Sequence, residues 1–587
     1  MTRSLSFVHS RLRVSDLLEQ HFDTAFAVPD GIARLRELIL TLAMQGKLVE
    51  QDPNDPPASE LLKEIEKEKA SHEGTKTRRK EKLPPVKPEE VPYELPKGWE
   101  WVRLGDIVLS ITGGGTPSKN NPAFWGGDIP WASVKDLNVE TYLDSTIDSI
   151  TEKAIASSST NLIPKGRIII CTRMGLGKIA INRVAVAINQ DLKALRISSH
   201  VDQMFFFKKY KNYKITGSGM TVHGIRQDEL LNFLFPLPPL PEQHRIVARI
   251  DQLMARCDEL EKLRKEREVK RLAVHAAAIK QLLDPSLCAF APSREENSST
   301  LRAFVPSCEP FAFLDQHFGE LYTVKKNVAE LRKAILQLAV MGRLVPQDPN
   351  DPPASELLKA IEKEKASREG TKTRRGKEKK LPPIKPEEVP YQLPQGWEWV
   401  RFAEIAFQIT DGAHHTPTYI EDGIPFLSVK DMSSGLLDFS DTRFISPEQH
   451  QELIKRCYPQ KGDLLLTKVG TTGIPVLVDV DFEFSIFVSV ALIKFPQQLV
   501  SGKFLSLLVK APLVKKQSED GTEGVGNKNL VLRKIANFIL PLPPLPEQHR
   551  IVARIDQLMA LCDTLDQQID AATGKQTELL NAVMAAV

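Results

Sequence analysis

Cysteine is scarce in this 587-residue sequence, and its spacing suits neither a metal nor a redox centre. The six cysteines, Cys171, Cys257, Cys288, Cys308, Cys457 and Cys562, include no CxxC pair, which argues against a disulfide framework and fits a reducing cytoplasm. No run of about 18 apolar residues occurs, so no membrane partner is expected. The N-terminal MTRSLSFVHSRLRVSD contains no apolar signal region. Charge of one sign is also missing: 78 Lys and Arg against 75 Asp and Glu leave a net charge of +3. Any polyanion must therefore be met by local patches rather than by a global basic field.

Catalytic signatures are equally thin. Asn121-Pro122-Ala123-Phe124 approaches the N-P-P-F box of adenine methyltransferases but lacks its second proline, and no glycine-rich cofactor loop precedes it. Gly175-Leu176-Gly177-Lys178 lacks the spacing of a phosphate-binding loop. His414-His415, between Gly412 and Pro417, reads as a surface or contact pair rather than a metal site. Neither a cofactor nor a metal is expected on this chain, and no catalytic residue is assigned.

What is present is duplication. PLPPLPEQHRIVARIDQLMA occupies Pro236–Ala255 and returns letter for letter at Pro541–Ala560. A longer near-copy lies upstream of each: Gln51–Arg103 and Gln347–Arg401 both begin QDPNDPPASELLK and end GWEWVR. The chain thus reads framework block, variable segment, helix block, twice over. The variable segments, Leu104–Phe235 and Phe402–Leu540, differ strongly yet share landmarks. IPWASVKD (Ile129–Asp136) parallels IPFLSVKD (Ile424–Asp431), and GRIIICTRMGLG (Gly166–Gly177) parallels GDLLLTKVGTTG (Gly462–Gly473). Their short Ile, Leu and Val runs bounded by Gly and Pro predict strands, and each segment is expected to form one α/β domain.

The helix blocks carry a heptad pattern. In the second copy Ile551, Ile555, Leu558, Cys562, Leu565, Ile569, Ala572, Gln576, Leu579 and Val583 follow steps of four and three. In the first, Ile246, Ile250, Leu253, Cys257 and Leu260 do so until Arg264, Arg267 and Arg271 interrupt, before Val274 and Ala278 resume. Matching helices stand upstream at Val28, Ile32, Leu35, Ile39 and Leu42, and at Leu321, Val324, Val328, Leu331, Ile335 and Leu338. The simplest pairing joins the first helix block to the second framework helix, through the linker at Asp284–Phe318. The last helix block then joins the first framework helix, closing a ring.

In this order, the PLPPLPEQHRIV segment opening a helix, followed by AILQLAVMGRLV, resembles the specificity subunits of type I restriction-modification systems. GGGTPSKNNPAFWGGDIPWASVKD (Gly113–Asp136), NQDLKAL (Asn189–Leu195) and DGAHHTPTYIEDGIPFLSVKD (Asp411–Asp431) are similar to the target recognition domains of that family. The resemblance implies a non-enzymatic, sequence-specific DNA-binding subunit. It implies an α/β fold in which two globular target recognition domains are separated by long antiparallel coiled-coil helices, in a pseudo-two-fold internal repeat. The corresponding division is 1–95 for a helical framework block with charged linker and 96–240 for the first recognition domain. Residues 241–395 then hold the central helices, linker and second framework block, 396–545 the second recognition domain, and 546–587 the last helix. The partners implied are double-stranded DNA with a bipartite asymmetric target, two methyltransferase subunits and two restriction subunits. S-adenosylmethionine is then expected on the methyltransferase, and ATP with magnesium on the restriction subunit.

Candidate DNA contacts are polar and basic residues in glycine-flanked loops, because Arg and Lys suit phosphates and guanine edges while Asn and Gln suit adenine. In the first variable domain they are Thr116, Ser118, Lys119, Asn120, Lys135, Arg173, His223 and Arg226. In the second they are His414, His415, Thr416, Lys430, Lys468, Thr471, Thr472, Lys528 and Asn529. The TKTRR runs, Thr75–Arg79 and Thr371–Arg375, read as solvated linkers or as phosphate or partner contacts. Trp99, Trp101, Trp397 and Trp399 are expected to face the core, and Cys257 and Cys562 to fill the helix seam. Two other functions fit less of the sequence: a self-contained DNA methyltransferase, which needs cofactor motifs, and a coiled-coil scaffold with two protein- or carbohydrate-binding domains.

Overall fold

The computed structural model describes residues 26, 28, 30–73, 83–213, 215, 224–284, 313–314, 316–369, 382–523 and 528–585. His223, both TKTRR runs, residues 1–25 and most of the Asp284–Phe318 linker lie outside the described residues. The chain forms two compact units, residues 1–266 with 573–587, and residues 267–572. Among the described residues no helix is long and apolar enough to cross a membrane.

Six helices make the framework: α1 Gly31–Met44, α2 Ala58–Glu73, α3 Leu240–Leu283, α4 Lys325–Val340, α5 Ala354–Glu369 and α6 Leu545–Ala585. The prolines just before α3 and α6 supply extended backbone, and Pro241 and Pro546 sit in the first turn, where a missing N–H costs nothing.

Each variable domain is α/β. The first carries a five-stranded sheet in the spatial order Val108–Gly113, Leu192–Ile197, Ile168–Cys171, Ile179–Asn182, Tyr142–Leu143. A second sheet runs Asp148–Ile150, Trp125–Ala132, Val186–Ile188, Leu162–Ile163. The other domain repeats this with Gln408–Asp411, Val490–Lys494, Leu464–Thr467 and Pro475–Leu477, beside Arg443–Ile445, Ile424–Leu427 and Ser485–Ile486. In both, the GWEWVR strand pairs antiparallel with the strand just before PLPP: Val102 faces Phe235, and Val400 faces Leu540. The near-identical blocks therefore close each variable domain at its entrance and exit.

Side chains of PEQHR lock that closure. In the first unit Glu242 accepts from Trp99 Nε1 at 2.9 Å and from Gln51 Nε2 at 3.2 Å. Arg245 meets Asp55 at 2.6 Å, and Gln243 Oε1 accepts the Asp202 backbone N–H at 2.8 Å. In the second unit Glu547 accepts from Trp397 and Gln347 at 2.9 and 3.1 Å. There Arg550 meets Asp351 at 2.6 Å, and Gln548 accepts from Ser501 N at 2.9 Å. Framework block, domain entrance, domain interior and long helix all converge on this one segment. Trp99 and Trp397 are buried, as a core role requires, while Trp101 and Trp399 are half-buried.

The helix pairing differs from the ring expected above. Each framework helix also bonds to the long helix of its own repeat: Arg36 of α1 binds Asp258 and Glu261 of α3, and Arg332 of α4 binds Asp563 and Asp566 of α6. The expected crosswise pairing holds along the last part of each long helix, where Ala278, Ile279 and Leu282 of α3 share a core with Val328, Leu331 and Ile335 of α4, His275 and Arg271 bond to Tyr322 and Thr323, and Leu580 of α6 joins the core that contains α1. A heptad marks a seam without naming its partner, and here each long helix meets its own framework helix first and the other repeat's nearer its C-terminal end.

The seam of α3 also shifts. Leu260 and Val274 are exposed, whereas Glu261, Arg264, Glu268, Arg271, His275, Ala278 and Leu282 carry the covered face. One extra step of four after Cys257 produces this stutter. Arg264 does not break the helix packing but donates to the Val28 carbonyl at 2.6 Å, and Arg271 pairs with Glu268. Ala572 of α6 is likewise exposed, and Leu580 rather than Leu579 is the deeply buried residue. Cys257 and Cys562 are buried in their seams.

Candidate nucleic-acid interface

In each variable domain the chain crosses from one sheet to the other through a three-residue turn, and neighbouring loops hang on it. In the first domain the turn is Asn189-Gln190-Asp191. Gly115 N–H donates to the Ile188 carbonyl, Asn189 N–H to Ala132, Thr172 N–H to Asp191, and Ile225 N–H to Thr172, at 2.9–3.0 Å. In the second the turn is Phe487-Val488-Ser489. Ala413, Phe487, Lys468 and Leu530 donate in the same way to Ile486, Leu427, Ser489 and Lys468, at 2.7–2.9 Å. The loops after four different strand or loop segments are thus joined by one backbone pattern that both domains share, while the side chains on them differ.

The approach at this crossing is tight. A Cβ at Gly114 would stand 1.9 Å from the Ile188 carbonyl oxygen, and one at Gly412 the same distance from that of Ile486. Glycine is required at both positions because backbone meets backbone.

SVKD is the next shared device. Asp136 Oδ2 accepts from Ser133 N and Oγ at 2.8 and 2.9 Å, and its Oδ1 accepts from Ile147 N at 2.8 Å. Asp431 repeats the cap on Ser428 at 2.6 and 3.0 Å. The aspartate is buried and structural, and it turns the preceding lysine outward. Lys135 is exposed, and Lys430 is half-exposed and rests on Asp441 at 3.1 Å.

Beneath the turns the polar interiors diverge. In the second domain buried Asp411 receives Lys468 Nζ at 3.0 Å and Arg456 at 2.6 Å, with His414 Nε2 3.0 Å away. Lys468 also donates to the Val488 carbonyl at 3.2 Å. The corresponding place in the first domain has Gly113, and Lys193 Nζ fills the space a side chain there would need, at 2.7 Å. Above it Thr116 Oγ1 donates to Gln190 Oε1 at 2.5 Å.

The sequence candidates distribute accordingly. Thr116, Ser118, Lys119 and Asn120 lie on the loop tied to Gln190, with all but Thr116 exposed. Arg173 is half-exposed, 3.7 Å from Asp191, and its backbone bridges to Gly224 next to the Ile225–Arg226 step. Arg226 is exposed and holds Asp228 and Glu229 at 3.1 and 3.3 Å. In the second domain His415, Thr416, Thr471 and Lys528 are exposed, and Thr472 Oγ1 meets that of Thr522 at 3.1 Å. Asn529 bridges to Val469, its Oδ1 buried with no hydrogen-bond partner among the described residues. Lys468 stands apart from the other candidates: it is buried and committed to Asp411, so it braces the turn from within. Sequence reasoning passed over Gln190, exposed at the turn's tip, although it lies inside the NQDLKAL run, and over Arg456, whose link to Asp411 spans 45 residues.

The motifs set aside as non-catalytic have structural work. Asn121 Oδ1 accepts the Ala123 N–H and caps a 3-10 turn. Gly175–Lys178 is the hairpin loop between Ile168–Cys171 and Ile179–Asn182, with no helix after it to bind a phosphate. Among the described residues no group of three or more His, Cys, Asp or Glu side chains is placed to hold a metal.

A family model described as the type I restriction modification DNA specificity domain matches residues 96–271 and 394–572. The specificity subunit of type I restriction enzyme EcoAI of Escherichia coli is 32% identical over 569 residues, covering 94% of this chain and 92% of that protein. The EcoEI specificity subunit, also of Escherichia coli, is 30% identical over 590 residues, covering 94% and 93%. The crystal structure of an HsdS subunit from Thermoanaerobacter tengcongensis aligns with 84% of this chain and 98% of its own at 18% identity, with a TM-score of 0.39. With the family domain present twice and relatives matched along nearly their whole length, the chain belongs to the type I restriction-modification specificity subunits, the non-catalytic members that recognise DNA sequence alongside modification and restriction partners.

Proposed function

We propose that the two sheet-crossing turns, Asn189–Asp191 and Phe487–Ser489, are the centres of two half-site readers for one bipartite, asymmetric DNA target. The observation that supports this is the duplication of the same backbone hydrogen bonds beneath different exposed side chains. A shared frame fixes where a reading loop stands, and the residues on it set which bases it accepts. Thr116, Ser118, Lys119, Asn120, Lys135, Gln190, Arg173 and Arg226 serve the first half-site. His415, Thr416, Lys430, Thr471, Thr472, Lys528 and Asn529 serve the second, with His414 held against Asp411.

In this reading two methyltransferase subunits carry S-adenosylmethionine and modify one adenine in each half-site, and two restriction subunits carry ATP and magnesium, in the cytoplasm. The test is methylome sequencing of cells that express the full chain with its methyltransferase, comparing wild type with Gln190→Ala. A split motif whose first half alone relaxes supports the assignment. A motif altered in the second half, or in neither, overturns it.

A further inference from the structure

Among the described residues Met174 is the one non-glycine residue with a left-handed backbone, at φ 55°. It is 69% exposed, so no packing explains the conformation. A side chain resists this region because its Cβ crowds the following carbonyl. The other copy shows what the loop needs without a side chain. Aligned through Gly166–Gly177 and Gly462–Gly473, Met174 corresponds to Gly470, which has φ 76°, while Gly177 and Gly473 match at 87° and 82°. The second domain makes this turn with glycine, and the first places an exposed thioether on the same strained backbone.

The loop is not loose. Cys171 N–H donates to Lys178 O at 3.0 Å, Lys178 N–H to Gly175 O at 3.1 Å, and Thr172 is tied to both Asp191 and Ile225 at 2.9 Å. Arg173, the preceding residue, lies 3.7 Å from Asp191. Met174 is therefore an apolar group held on a rigid tip beside the polar readers.

Resting on the reading above, we propose that Met174 is a specificity-determining residue of the first half-site that packs its thioether against the 5-methyl group of a thymine. That methyl is the apolar mark the major groove displays, and an unbranched thioether adapts to such a contact. Strained backbone of this kind clusters at ligand-contacting sites.

The test uses the full chain assembled with its methyltransferase and duplexes carrying the methylated motif, each first-half thymine replaced in turn by deoxyuridine. For wild type, one replacement should weaken binding about fourfold, the worth of one buried methyl. Met174→Gly should bind thymine and uracil duplexes equally at that position while melting at the wild-type temperature or above. Met174→Leu should keep the discrimination, and Met174→Gln, which retains the backbone and length, should lose it. Equal discrimination by wild type and Met174→Gly, a first half-site without thymine, or uracil sensitivity at no position overturns the proposal. If the wild-type complex methylates no split motif at all, it is the broader half-site reading that fails.

Discussion

The indole Nε1 of Trp397 donates to Glu547 Oε2 at 2.9 Å across 150 residues of chain, and Trp99 makes the same bond to Glu242. Burial lifts both carboxylates above their ordinary range, against the pull of the Trp and Gln donors. A raised carboxylate contributes stability that is complete below its unfolded pKa and is lost as pH rises through the folded value. Trp397→Phe removes a donor that favours the charged form, so the folded value climbs further. The variant is expected to be destabilised by about 1–3 kcal/mol, with a larger deficit at pH 8 than at pH 5. Thermal melting of the full chain at both values checks this, and an equal deficit would contradict it.

His275 bonds to Tyr322 Oη at 3.0 Å inside the second unit, and burial holds its pKa below the ordinary value. A depressed histidine contributes stability above its unfolded pKa near 6.5 and loses it as pH falls, by about 1.4 kcal/mol per pH unit until the folded value is reached. Lowering pH from 7.5 to 5.5 should therefore reduce the melting temperature of wild type more than that of His275→Gln. Parallel pH profiles would show that the histidine is not the group responsible.

Lys135 and Asp136 are adjacent yet have separate duties. Lys135→Ala should weaken DNA binding across sequences and reduce the slope of log affinity against log salt by about one, as loss of one phosphate contact does. Asp136→Ala removes the acceptor of Ser133 and Ile147 and should cost on the order of 1–3 kcal/mol of stability. Binding at several salt concentrations together with melting curves separates the two effects. A salt slope unchanged by Lys135→Ala removes that residue from the interface.

Lys468→Met should act through the fold. It leaves Asp411 to its half-exposed partners Arg456 and His414, and losing one charged hydrogen bond to a buried carboxylate that keeps other partners costs about 1–3 kcal/mol. Arg173→Ala should barely move the melting temperature while lowering the salt slope. If Lys468→Met lowered the salt slope with no loss of stability, the lysine would be a DNA contact after all.

Much of this architecture is legible in the sequence because it is written in side chains. The duplicated blocks, the Ile168–Cys171 and Leu464–Thr467 strand runs and the SVKD turns announce themselves by composition and spacing. The reading sites announce themselves less, because the sheet crossing is held by carbonyls and amides, which any residue supplies. Asn189–Asp191 falls in a conspicuous run, whereas Phe487–Ser489 has nothing to mark it. Lys468 looks like a free loop cation because its partner lies 57 residues earlier. The stutter after Cys257 escapes notice because the residues it brings inward, Glu261, Arg264 and Glu268, are polar.

The different interiors beneath the two turns make them unequally tolerant of exchange. Buried Asp411 fixes the second reader through ion pairs to Lys468 and Arg456 and a bond to His414, so a change at any one of these leaves the others facing an altered charge. The first reader is braced mainly by neutral bonds, Thr116 to Gln190, Trp125 Nε1 to the Ser118 carbonyl at 3.1 Å and Thr160 Oγ1 to the Gly115 carbonyl at 2.9 Å, so its loops can exchange one side chain without unbalancing a buried charge.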